Sequence, residues 1–118
     1  MRIASIILPN LDNNGTTLAE CHLAMQATIV DMFGGFTAVD SVGAWRDEST
    51  GKIYHEPGRQ YLIAMEDSRV NRDKLESLAA FYGHMSGQIT VMVTHADGAV
   101  SFVDVAKVAT VNAKMCAE

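Results

Sequence analysis

Residues 33–65 read FGGFTAVDSVGAWRDESTGKIYHEPGRQYLIAM. A helix ends at Phe33, and Gly34 stands where a helix C-terminal glycine belongs. Two β-type runs then flank the polar turn DESTGK, residues 47–52. Phe36, Ala38 and Val42 alternate, so residues 36–46 predict a strand, with Asp40 among the apolar positions on its face. An inward Asp40 needs hydrogen bonds, or a bulge turns it outward. Gly43 predicts such a bulge, redirecting Ala44, Trp45 and Arg46. Residues 53–66 predict the second strand of the hairpin, and Pro57 with Gly58 predicts an edge position or another bulge there.

Working outward from this hairpin, the elements on its two sides repeat. Upstream, RIASIIL at 2–8 predicts a buried strand, and LPNLDNNGT a loop. Thr17 and Glu20 form a capping-box pattern, and Leu18, Cys21, Met25, Ile29 and Met32 recur at helical spacing, predicting a helix over 18–33. Downstream, Leu75, Leu78, Ala79 and Tyr82 share a helix face that Gly83 or Gly87 ends. ITVMVT at 89–94 and residues 99–105 predict two more strands around an Asp-Gly turn. The last dozen residues read as a short helix or a tail used by a neighbouring subunit. The order β-α-β-β-α-β plus a strand predicts a single α+β domain over 1–118. It is ferredoxin-like, with two helices on one face of an antiparallel sheet. The other face is then open unless a second copy of the sheet covers it.

At 118 residues, 48% apolar and 19% charged, the chain has the composition of one globular domain. A net charge of −5 argues against a nucleic-acid partner, although a local basic pocket for a small anion remains compatible with it. Cys21 and Cys116 are far apart and predict free thiols in a reducing cytoplasm. No apolar run approaches the ~20 residues of a membrane span, and the N-terminal segment reads as a strand rather than a signal peptide. The expectation is a cytoplasmic protein with no membrane partner.

The chemistry centres on Trp45, Arg46, Asp47 and Glu48, with Arg59 and Tyr61 on the facing strand near Gly43 or Ser41. An aromatic beside a guanidinium offers a stacking surface and a forked donor, which suits an adenine-containing anion. The structural alternative is Trp45 packed on a neighbour and Arg46 paired with a carboxylate. Phe81 lies one step off the apolar stripe of the second helix and is a candidate interface or ligand contact. His22, His55, His84 and His95 show no ligand spacing for zinc, and His22 reads as a border residue of the first helix. There is no nucleophile elbow, phosphate loop or dinucleotide glycine motif, so neither a metal nor a cofactor is expected.

The run FGGFTAVDSVGAWRDESTGKIYHE to QYLIAM resembles small bacterial and phage proteins that share a helix ending in F-G-G, a strand, G-x-W or G-x-Y, and a glycine-containing hairpin turn. One such group is the phage anti-Thoeris sponges, oligomers that bind cyclic ADP-ribose-type signals without degrading them. This resemblance implies ligand contacts at Arg59 and Phe81 by approximate position, and these join Trp45 and Arg46 as the residues expected to stack a base and pair a phosphate. The other is the phage S-adenosylmethionine lyases, trimers with active sites between subunits. Their G-x-Y-R-E segment is similar to G-A-W-R-D-E at 43–48, with Trp45 in place of tyrosine and the carboxylate on Asp47 or Glu48. This second resemblance implies Glu48 and Tyr61 at a catalytic site that releases methylthioadenosine and homoserine lactone. The favoured expectation is an oligomeric anti-defence protein that sequesters an adenine-containing signal between subunits, within the host cytoplasm if phage-encoded. A lyase and a purely structural oligomer are the alternatives.

Overall fold

The computed structural model describes residues 1–105. The reading of the last dozen residues, and of Cys116, lies outside them. The elements run β1 (Arg2–Pro9), α1 (Ala19–Phe33), β2 (Thr37–Arg46), β3 (Ile53–Met65), α2 (Arg69–Met85), β4 (Thr90–Thr94) and β5 (Val100–Asp104). They build one antiparallel sheet in the order β2-β3-β1-β4-β5, the ferredoxin-like arrangement with an added edge strand. Among the described residues no helix is long and apolar enough to cross a membrane.

The core lies between the sheet and its helices. Ala4, Ile6 and Leu8 of β1, Tyr61, Ile63 and Met65 of β3, and Val91 and Val93 of β4 alternate toward it, as period-two patterning requires. Met25 and Ile29 of α1 and Leu75, Leu78 and Ala79 of α2 close it from above. Gly83 lets α2 settle close to the sheet: a Cβ there would meet Val105 Cγ2 at 2.7 Å and Val91 Cγ2 at 2.8 Å. On the other face Ile3, Val39, Val100 and Phe102 are exposed.

Two local expectations are corrected. The Thr17–Glu20 capping box does not form. Leu18 is the N-cap, with no side-chain cap, because Thr17 is bridged to Leu11 and its hydroxyl accepts from the Ala19 N–H. Nor does the ladder bulge at Gly43. The β2–β3 register runs unbroken from Thr37↔Leu62 to Arg46↔Ile53, with Gly43 opposite Glu56. The glycine that permits a close approach is Gly58, where a Cβ would lie 2.9 Å from the Leu8 carbonyl oxygen. At the helix end, Gly34 does take the left-handed conformation, with φ 95°, and its N–H donates to the Val30 carbonyl.

Candidate functional site

β1 ends at Pro9, opposite Gly58, but β2 and β3 continue past it to the turn at 47–52. Among the described residues, the hairpin beyond this point is a two-stranded arm with no strand beside it. Pro57 sits where pairing with β1 has stopped, so its missing N–H breaks no ladder bond with β1. The tip is held by Asp47, whose Oδ1 accepts from the Ser49 hydroxyl at 2.7 Å and the Ser49 N–H at 2.9 Å. These bonds favour the ionised carboxylate and lower its pKa, the Ser49 hydroxyl contributing most.

Because neighbours along a strand point to opposite faces, Trp45 and Arg46 separate. Trp45 lies on the face away from the helices, directly opposite Tyr54. The two rings stack, with centroids 4.7 Å apart and planes 18° from parallel. The indole N–H donates to Glu56 Oε1 at 3.1 Å, and Lys52 Nζ lies 4.8 Å from the Tyr54 ring centroid. Trp45 remains 49% exposed, so the pair forms an aromatic platform rimmed by a carboxylate and an ammonium. Glu48 is exposed in the adjoining turn.

Arg46 and Arg59 belong to the opposite face, Arg46 across from Ile53 and Arg59 across from Asp40. Arg59 Nε is 3.9 Å from Asp40 Oδ1. Asp40 is exposed without any bulge, because β2 is the sheet's outer strand. Such an exposed pair adds little stability. Phe81 is on α2, which packs over β4, β5 and β1; its ring meets Tyr82 edge-on at 4.8 Å and rests against the core. Within one chain, therefore, Trp45, Arg46, Arg59 and Phe81 do not converge on a single surface.

Tyr61, opposite Ala38, is fully buried. Its hydroxyl lies 2.6 Å from His22 Nδ1 and 3.1 Å from Gln26 Nε2. His22 Nε2 is 2.8 Å from the Pro9 carbonyl oxygen. A carbonyl can only accept, so Nε2 carries the proton and Nδ1 accepts from the phenol. A directed chain results, from Gln26 through Tyr61 and His22 to Pro9, tying α1 to β3 and β1 below the arm. Sequence reading placed His22 at the helix border. The missed signal is that position 22 falls one turn after Leu18 and three residues before Met25, inside the buried stripe.

Burial lowers the His22 pKa; the Pro9 bond opposes this, and the Arg59 charge adds to it. The unfolded chain therefore binds the His22 proton more tightly than the native one. Stability from this group is complete above the ordinary value of 6.5 and declines as pH falls below it toward the native pKa. Denaturant midpoints measured from neutral to mildly acidic pH are expected to fall across that window, by at most about 1.4 kcal/mol per pH unit for this one proton. His22→Gln is expected to flatten the slope, and an unchanged slope would contradict the assignment.

Fold and arm together define a ferredoxin-like sheet that carries an exposed aromatic stack on its projecting hairpin. The chain belongs to the family described as "Protein of unknown function (DUF3574)", which matches residues 12–102. No curated protein matches the sequence. Among solved structures the chain is similar to a phage SAM lyase in complex with S-methyl-5'-thioadenosine. That match has a TM-score of 0.67 and 16% identity, covering 87% of this chain and 89% of that one. The phage SAM lyase in its apo state gives a TM-score of 0.66 at 17% identity, over 86% and 87% of the two chains. At these identities the likeness is one of fold.

Proposed function

We propose that this protein works as a homo-oligomer that binds an adenosyl sulfonium, S-adenosylmethionine, on the arm and cleaves it to methylthioadenosine and homoserine lactone. The observation that carries this reading is the Trp45–Tyr54 stack with Glu56 at its edge. An adenine ring stacks on the exposed indole, and a sulfonium is drawn to aromatic faces and carboxylates. Residues 40–59 hold the cations Arg46, Lys52 and Arg59 against the carboxylates Asp40, Asp47, Glu48 and Glu56. That balance favours a cationic ligand over the pyrophosphate of a cyclic ADP-ribose-type signal.

In the proposed reaction the substrate's own carboxylate oxygen attacks its γ-carbon. The C–S bond breaks, the sulfur keeps the electron pair and becomes a neutral thioether, and the lactone ring closes. No water, proton or oxidant is consumed, so the protein's task is to fold the substrate for attack and shield the sulfonium. Trp45 holds the base and Glu48 balances the charge. Tyr61 makes no contact with the ligand from its own chain, because its phenol is committed to His22 and Gln26. Arg46, Arg59 and Phe81 complete the pocket from a neighbouring copy.

Two further features support the oligomer. An isolated two-stranded hairpin is marginal in water, and this arm exposes Val42 (77%), Ile53 and Trp45. The sheet face away from the helices also leaves Ile3, Val39, Val100 and Phe102 uncovered, and a second copy of that face would bury them.

Mass spectrometry, native and then denaturing, after separate incubation with S-adenosylmethionine and with a cyclic ADP-ribose isomer tests the reading. Methylthioadenosine from the first incubation is the expected result. A nucleotide retained and released intact would overturn cleavage in favour of signal sequestration, and no ligand in either incubation would leave a structural oligomer.

A further inference from the structure

At the other end of β1 from the arm, the β4–β5 turn meets the first half of α2 around a cleft of about 290 Å³. Arg69, Arg72, Asp73 and Glu76 line it from α2, and His95 and Ser101 from the sheet. His95 is only 4% exposed. Its Nε2 lies 3.2 Å from Ser101 Oγ and 3.8 Å from Glu76 Oε1, whereas its Nδ1 is buried with no partner. A buried ring nitrogen without a partner is a rare feature that calls for an explanation, and this one belongs to a residue that lines a polar cleft.

The arrangement is not a hydrolytic relay. A serine–histidine–carboxylate relay needs the hydroxyl and the carboxylate on different ring nitrogens. Here both approach Nε2. A carboxylate only accepts, so the tautomer with its proton on Nε2 is the one that lets the ring donate toward Glu76 and Ser101. Arg72 is clamped by Asp97 and by Asp67, whose Oδ1 is 3.7 Å away. Among the described residues Arg69 pairs only with Asp73, at 4.0 Å and exposed, and Glu76 has no lysine or arginine partner, only the His95 ring beside it. Guanidinium groups thus stand toward the start of α2, and an incompletely balanced carboxylate stands two turns further on.

We propose that this cleft binds a small zwitterion of the amino-acid class, its carboxylate toward Arg69 and its ammonium on Glu76. A carboxylate alone meets Asp73 and Glu76, and an ammonium alone meets the two arginines; only a zwitterion finds opposite charge at both ends. The cleft's volume is at the small end of ligand sites, which excludes a dinucleotide. This site is separate from the arm and does not depend on the reading given to it.

The test follows the His95 ring resonances by NMR, assigned with His95→Asn, while the intact protein is titrated with a mixture of the standard L-amino acids. Parallel titrations use their N-acetyl derivatives and their methyl esters. Saturable shifts at His95 with the free amino acids, and at least about tenfold weaker responses to both blocked sets, are expected. Glu76→Gln, at a half-exposed position, is expected to weaken binding about tenfold with unchanged circular dichroism. No saturable shift at millimolar ligand, an equal response to either blocked set, or full binding by Glu76→Gln overturns the proposal.

Discussion

Trp45→Ala is expected to reduce binding of S-adenosylmethionine by about tenfold to a hundredfold while leaving the far-ultraviolet circular dichroism spectrum unchanged. The magnitude follows from the ~1–3 kcal/mol that an aromatic side chain contributes when a base stacks on it. The intact spectrum follows from the position of Trp45, outside the core and past the end of β1. Its removal leaves Tyr54 without a stacking partner and Glu56 without the indole donor, both at the surface. Calorimetric titration measures the first effect. If the variant unfolds, Trp45 is a packing residue and the arm is not a ligand platform. If the variant binds normally, the ligand does not use the indole.

Tyr61→Ala is the substitution expected to damage stability most, by about 3–5 kcal/mol, since it empties a fully buried aromatic position. It also leaves His22 Nδ1 and Gln26 without their shared partner. Domains of this size hold ~5–15 kcal/mol in total, so the alanine variant is expected to be partly unfolded at ambient temperature. Tyr61→Phe keeps the ring and edge-on contact with Phe36 and loses only the hydroxyl, at about 1–2 kcal/mol. Denaturant melts give both values. The Phe variant also separates structure from chemistry. Methylthioadenosine formation is expected to survive in it, and a folded but inactive Tyr61→Phe would move the phenol into the reaction.

Much of this fold was legible because its signals are local. The stripe from Leu18 to Met32 with Gly34 behind it marks α1, and two β-type runs around DESTGK mark the hairpin. Features decided by distant partners were not. Thr17 looks like a cap until Leu11 bridges to it. Gly43 and Gly58 both look like bulges, yet the ladder runs unbroken through both, β3 lies inside the sheet, and Gly58 makes the close approach to Leu8. The face of each candidate residue was only half legible. Strand alternation already separates Trp45 from Arg46, but the pairing of Arg59 with Asp40 needed the register. The cleft at His95 had no sequence signature, since its two walls are some twenty residues apart and neither carries a motif.

The placement of β1 between β3 and β4 has a consequence for how the protein is made. The eight residues of β1 pair with 58–65 on one side and with 93–94 on the other. A ribosome therefore releases β1 well before either neighbour exists, and its apolar face must wait for most of the domain. Contacts of such long sequence separation slow folding and prolong the exposure of sticky intermediates. The central strand of the finished sheet is thus the segment of the nascent chain that waits longest for its partners.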